Sequence, residues 1–462
     1  MKDFTTFIKE IFEKTSTRVP AEDNEKVSQW RGEGLRDFLK KGLPGKKEEN
    51  WRHHPVGQLL EKEYHLQLQP DPYQPVENFF KCKVENIGTN MFTTLNGWYV
   101  HDHSPLTIFP NGIIIGSLAA AIRQFPDLVL PRLMKNDSHR KDSLVSLNQA
   151  FFNDGLFLYI PDNSKVEQPV QLVNLVNSPD NLFLTSRNLI IVGKNSSVSF
   201  IQCNDSLHFG KTFIDNVTEI FLEEQSALNY CKMDNKDPDS ILIDHIITHQ
   251  KGHSRFSSNM ITFNAGYVRN DLSVNLNQPF ADTRLYGLYL VDKEQYVDNQ
   301  VHVNHAVRDC TSYQLYKGIT DNKAISNFNG HILVEKDAQH TVAFQTNNNI
   351  TMTDEAQVMT KPFLEIYADD VQCSHGATVG QLNEDALFYL RTRGICERNA
   401  RMLLMYAFAN EVIANVEIEG LRHRLTDMVK MRLSGELHLC DQCILHCTDS
   451  KNFTFEIDIS KI

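Results

Sequence analysis

Leu189-Ile190-Ile191-Val192-Gly193-Lys194-Asn195-Ser196-Ser197-Val198-Ser199-Phe200, running on to a turn at Asn204-Asp205, is the stretch that sets the fold. A short apolar run rich in β-branched residues stops at a Gly/Asn/Ser cluster, and Val198 and Phe200 then alternate with polar residues. That is strand, turn, strand. The same texture extends outward from about residue 80 to residue 370. Leu272, Val274 and Leu276, for example, alternate strictly with polar positions, as a half-buried strand does. Long helical periodicity is missing over most of this span, which argues against βαβ units. Many short strands at regular spacing mean a sandwich, a barrel or a β-solenoid, and periodicity alone does not choose among them. No exact sequence repeat is visible.

Both flanks read differently. Phe4, Phe7, Ile8, Ile11 and Phe12 follow the spacing of one apolar helix face. A second helical pattern carries Val27, Trp30, Leu35, Phe38 and Leu39. It ends at the breaker cluster Gly42-Leu43-Pro44-Gly45, before the charged linker Lys46-Lys47-Glu48-Glu49-Asn50. After Gly380, Asn383 is placed to cap a helix whose first turn carries Glu384 and Asp385, and Gly394 is its stop. A next helix puts Ala400, Leu403, Leu404, Ala407, Phe408 and Val412 on one face. A last one does the same with Ile418, Leu421, Leu425, Met428 and Val429. The expected plan is a helical region and linker over 1–79, a β core over 80–380, a helical domain over 381–436 and a tail over 437–462.

Composition narrows the function. The 462 residues are 41% hydrophobic and 23% charged, enough for a sizeable core. A net charge of −12 makes a nucleic-acid partner unexpected, because phosphate binding needs clustered Lys and Arg. The longest apolar run, Gly112–Ile122, falls short of the roughly 20 residues that span a bilayer. No apolar leader region is visible, so no membrane association is expected and the chain reads as soluble and cytoplasmic. An odd count of 9 cysteines argues against full disulfide pairing and leaves most as free thiols in that compartment.

Several segments resemble the SufB/SufD family. The clearest is Lys361-Pro-Phe-Leu-Glu-Ile-Tyr-Ala-Asp-Asp-Val-Gln-Cys-Ser-His-Gly-Ala-Thr-Val-Gly380, continuing into Asp385-Ala-Leu-Phe-Tyr-Leu-Arg-Thr-Arg-Gly394. Ala324–Glu335, Ala338–Thr341, Asp154–Pro161 and Glu49-Asn50-Trp51-Arg52 also look like the family, in the expected order along the chain. The Cys-Ser-His-Gly form leans towards the SufD branch. The resemblance implies a mainly β fold: a right-handed parallel β-helix (solenoid) flanked by N-terminal and C-terminal α-helical regions. It also implies a scaffold role in iron–sulfur cluster assembly by the SUF system. The implied partners are a SufB-like paralogue, met through the β-helix, and a SufC-like ABC ATPase, docked on the C-terminal helices. This chain has no Gly-x-x-x-x-Gly-Lys-Ser/Thr loop, so the resemblance puts ATP hydrolysis in that partner and no catalysis here. A homodimer is expected when the chain is alone, because sheet edges and apolar surface would stay exposed.

Four groups of residues could carry chemistry. Cys373 and His375 lie two apart on a strand, so they share a face, and thiolate and imidazole both suit iron. The resemblance places this His at the interface with the paralogue, where a transient cluster would be shared between chains. The plainer reading is a packed strand end. Leu387, Phe388, Tyr389, Arg391, Arg393 and Gly394 form the expected ATPase-docking segment, against core packing and helix-end charge as the plain alternative. Cys440, Cys443, Cys447 and His446 have spacing that could grip a metal, against free thiols in a chain-end tail. His245, His249 and His253, with His302 and His305, read as rows of half-exposed imidazoles on strands. The competing enzyme reading is a cupin-like jelly roll whose metal is held by the 245–253 histidines. A SufB-type paralogue is the other alternative. Flavin binding and cluster type are not legible from these residues.

Overall fold

In a computed structural model the chain is described over residues 4–16, 24–53, 56–60, 64–71, 88–135, 142–207, 211–235, 238–264 and 266–434. From Leu156 to Gly380 the strands alternate between two sheets, one of eleven strands and one of ten. Each strand of a sheet pairs in parallel with the strand two further on. In the first sheet Phe213 pairs with Ile241, Ile241 with Tyr267, Tyr267 with Tyr296 and Tyr296 with Ile325. The second sheet repeats the scheme, with Ala227 on Arg255 and Thr311 on Val342. This is a parallel β-helix of about 7 turns, as the family resemblance implied.

Period-two alternation explains why the strands are so apolar. One face of each strand turns into the coil, where Leu228, Tyr230, Phe256, Leu272, Val297, Val301 and Phe328 make a continuous core. The other face is covered too. The first sheet carries Phe183, Phe213, Ile243, Tyr267 and Tyr296 outward against α1 (Phe4–Ser16), α2 (Glu25–Lys41) and a later helix over Ser143–Phe151. Strand Leu182–Val192 is consequently buried at every position, as expected of parallel strands covered on both faces. Between coils the chain turns through residues of positive φ, among them Asn195, Gln225, His253, Lys293 and Asn322. Gly193-Lys194-Asn195-Ser196 is one such turn. Inside the coil, Gly287 lies beside Tyr316, whose ring would be 2.2 Å from any β carbon added there.

The first coil is closed by other means. Leu106–Ile108, Ile114–Ser117 and Leu156–Ile160 pair antiparallel at one end of the first sheet, and Asn90–Leu95 pairs with Trp98–Tyr99 in the second. Three helices, α3 (Leu118–Gln124), α4 (Pro126–Val129) and α5 (Ser143–Phe151), fall inside the span expected to be strand. Ser117 caps α3 by accepting from the Ala120 amide, and the small residues after it pack under the sheet.

At the C-terminal side, α6 (Glu384–Thr392) is capped by Asn383 and followed by Gly394 at φ +84°. α7 (Glu397–Ile413) and α8 (Glu419–Ser434) lie on the outer face of the second sheet. On α8 the expected residues Leu421, Leu425, Met428 and Val429 are buried. On α7 the buried stripe is rotated from the expected one: Ala400, Ala409, Val412 and Ile413 are buried and Ala407 is exposed. The helix packs against both α8 and the sheet, and the second surface claims Ala409 and Ile413. No described helix is long and apolar enough to cross a membrane.

Candidate functional site

The last coil consists of Gln357–Ile366 in the first sheet and Val371–Gly380 in the second, and each is the terminal strand of its sheet. Nothing described continues the ladder beyond them. Apolar side chains stand open here: Val379 is 50% exposed and Phe363 45%, and Ile366 and Tyr367 are exposed as well.

His375 belongs to this final strand and is exposed. Its register partner is Gln345, whose amide in turn donates to Gln314 at 2.7 Å. The imidazole therefore continues an inner column of carboxamides at the open mouth of the coil. Cys373 shares that face but sits deeper, against Ile332, Ala338, Ala343 and Ala368. Partial burial raises the pKa of its thiol, so the neutral form is favoured and the sulfur is a poorer ligand as it stands.

Helix α6 follows the mouth directly. Leu387 is buried, whereas Phe388 is 69% exposed and Tyr389 is exposed beside it. Arg391 reaches Glu397 at 3.5 Å and the Arg393 guanidinium lies 5.1 Å from the Tyr389 ring centre. Of the expected docking segment, then, Leu387 anchors the helix and Phe388 and Tyr389 remain as apolar surface beside the arginines and Gly394. Cys440, Cys443, Cys447 and His446 lie outside the described residues, as does the whole of the expected tail.

The histidine rows differ from expectation. His245, His302 and His305 are buried, not half-exposed. Helices and the N-terminal segment cover the outer face of the first sheet over His245 and His302, and His305 points inward to Ser312 Oγ at 2.9 Å. Burial depresses the pKa of His305 to about 3 and lowers that of His245. His249 stacks on Phe221, while His253 occupies a turn at φ +56° and leaves the shared face. Among the described residues no three His, Cys, Asp or Glu side chains converge to hold a metal ion. With a solenoid in place of a closed jelly roll, the cupin-like reading is overturned.

Glu49-Asn50-Trp51-Arg52 proves to be a strap across the outer face of the first sheet. The Arg269 guanidinium lies 3.8 Å from the Trp51 ring centre and donates to the Asn50 carbonyl at 2.9 Å; Trp51 Nε1 donates to Asp142 at 2.9 Å. Lys361 of the last coil reaches Glu49 at 2.7 Å. Asp154, from the Asp154–Pro161 segment, is buried and accepts from Ser117 Oγ and the amides of Tyr99 and Ala119.

Sequence comparison agrees with this architecture. A family model described as the SUF system FeS cluster assembly SufBD core domain matches residues 174–408, and one for the SufBD protein N-terminal region matches residues 1–172. The iron–sulfur cluster assembly protein SufD of Escherichia coli is 27% identical over 414 residues, covering 87% of this chain and 92% of that protein. The SufD of Bacillus subtilis is 28% identical over 366 residues, covering 76% and 80%. A SufBD family protein of Synechocystis is 28% identical over 405 residues, covering 84% and 87%.

Proposed function

The chain belongs to the SufBD family of iron–sulfur cluster assembly proteins, and from that premise we propose that it is a non-catalytic SufD-type scaffold subunit acting in the cytoplasm. Its last coil pairs with a SufB-like paralogue, and α6 with its neighbouring helices docks a SufC-like ABC ATPase. The observation that carries this reading is the exposure of His375 on a terminal strand whose outer edge has no partner among the described residues. A row of unsatisfied backbone groups beside open apolar side chains is a template for another strand. A paralogue seated there would enclose His375. One imidazole offers too few ligands for a cluster, so the rest must come from the partner. The iron and sulfide are then cargo, held transiently at a shared seam, and Cys373 supports that seam by packing. In the absence of the paralogue the same surface favours a homodimer.

Phe388 and Tyr389 support the ATPase docking, because aromatic side chains beside arginines are the residues that dominate protein interfaces. Closure of the ATPase would then pull on a helical handle joined to the strand that bears His375.

Co-expression with a SufB-like paralogue and its ATPase tests the assembly: a stable complex should purify, and failure to recover an ABC-type ATPase with the chain would refute it. Within that complex, His375→Ala should leave assembly intact and lower the cluster yield measured by absorbance. Unchanged yield would remove His375 from the seam.

A further inference from the structure

The outer face of the first sheet holds a second cluster of ligating side chains, separate from the mouth that bears His375. His302 and His331 are register partners on adjacent strands, with Phe363 next in the same row. Their Nδ1 atoms face each other at 3.0 Å. On its far side the His331 ring meets Glu365 through Nε2 at 3.1 Å, and the Tyr367 hydroxyl donates to the same carboxylate at 2.5 Å. A cavity of about 350 Å³ opens over the pair, lined also by Gln300, Asn329 and the strap residue Asn50.

The protonation pattern follows from the partners. An ionised carboxylate only accepts, and Glu365 takes the Tyr367 hydroxyl on one oxygen while its other oxygen faces His331 Nε2. His331 therefore carries its hydrogen on Nε2 and presents a lone pair at Nδ1, aimed at Nδ1 of His302. A carboxylate that fixes the tautomer of an imidazole from behind is the arrangement that orients metal-ligating histidines. Metal–imidazole bonds of about 2.0–2.1 Å spanning the 3.0 Å gap would meet at about 95°. That angle suits octahedral or square coordination more than tetrahedral zinc. Solvent and the carboxamide oxygens of Asn50, Gln300 and Asn329, which line the cavity, would complete the shell of such an ion, so it would need no third His, Cys, Asp or Glu.

We propose that His302 and His331, with Glu365 as the positioning carboxylate, bind a divalent first-row transition metal of the iron, cobalt or nickel type on the outer face of the β-helix. On binding, the proton that bridges the two Nδ1 atoms gives way to the cation and His302 takes its hydrogen on Nε2. This inference stands on these residues alone and does not depend on the role given to His375.

Cobalt(II) titration of the full-length chain tests it. Near-equimolar binding is expected with visible d–d bands and without the near-ultraviolet charge-transfer absorption of thiolate ligation. His302→Ala with His331→Ala should weaken that binding at least tenfold. Glu365→Gln, a change at a partly exposed carboxylate that leaves the fold in place, should weaken it about 10- to 100-fold, the usual effect of removing an orienting partner. His375→Ala should bind as the parent does, which separates this site from the proposed seam. Parental affinity in Glu365→Gln and in the double histidine variant would overturn the proposal. So would a spectrum showing thiolate ligation alone, or loss of the cobalt with His375→Ala.

Discussion

The coil built from Leu182–Val192 and Ser197–Ser206 and the coil built from Gln357–Ile366 and Val371–Gly380 obey one pairing rule and live in different surroundings. The early coil is held between neighbouring coils and roofed by helices, and its strands are buried almost throughout. The last coil has the same backbone ladder on one side only, and strand Val371–Gly380 is exposed over most of its length. In a solenoid each repeat is stabilised by its neighbours, and terminal repeats ordinarily carry a polar cap. Among the described residues one end is capped by antiparallel strands and helices, and the other leaves apolar side chains open. The difference teaches that an interior position holds this protein together, whereas a terminal one is free to serve contact with another chain.

The sharpest test of that division is a buried charge at the capped end. Arg187 and Glu219 are both fully buried and meet at 2.8 Å, with Glu219 also accepting from the amides of Met134 and Lys135. Glu219→Ala should cost about 3–5 kcal/mol in urea unfolding, because it strands a guanidinium in a dry interior. Phe183→Ala, which opens a cavity among Phe4, Phe151 and Phe213, should cost about 3–5 kcal/mol by the same measurement. Lys361→Ala breaks the exposed pair with Glu49 on the last coil and should leave the urea midpoint almost where it was, because water screens an exposed pair. Equal losses at the two ends would dissolve the comparison.

Acid sharpens it further. His305 is fully buried inside the coil and burial depresses its pKa from the usual 6.5 to about 3. Above pH 6.5 it is neutral in both states and contributes no pH dependence. Below that, the unfolded chain takes up a proton that the folded chain refuses, so stability falls with pH by about 1.4 kcal/mol per unit down to pH 3. His305→Asn, which keeps a polar group beside Ser312, should flatten this slope by roughly one proton between pH 6 and pH 4. An unchanged slope would mean that the interior is wet at this coil.

The β body was legible because two-sided burial writes β-branched runs between Gly/Asn turns, as at Leu189–Ser196, and the helix caps Asn383 and Gly394 follow local rules. Choosing the solenoid over a sandwich took the family motifs, since stacking of coils depends on pairing partners that a local pattern does not reveal. For the same reason the burial of His245 and His302 was missed: what covers them comes from residues 49–51 and from α5, far away in the sequence. The His302–His331–Glu365 cluster was missed because only register brings residues from three strands together. Strand parity did place Cys373 and His375 on one face, but their different depths depend on the coil ending at Val371–Gly380.

The smallest expected effect on stability is at the mouth itself, and its smallness carries the information. Val379 follows the inward parity of Val371 and Cys373, yet it is half exposed because no further coil covers it among the described residues. Val379→Arg should therefore change the unfolding free energy of the isolated chain by no more than about 0.5 kcal/mol, as surface substitutions do. The same arginine would be costly beneath a docked chain, where a charge without a partner loses its water. Recovery of a paralogue complex, or of a homodimer in analytical ultracentrifugation, should accordingly fall at least tenfold while the melting temperature stays put. A large drop in melting temperature would instead show that Val379 already serves the fold, and the terminal coil would then be a finished end of the solenoid and no longer an interface.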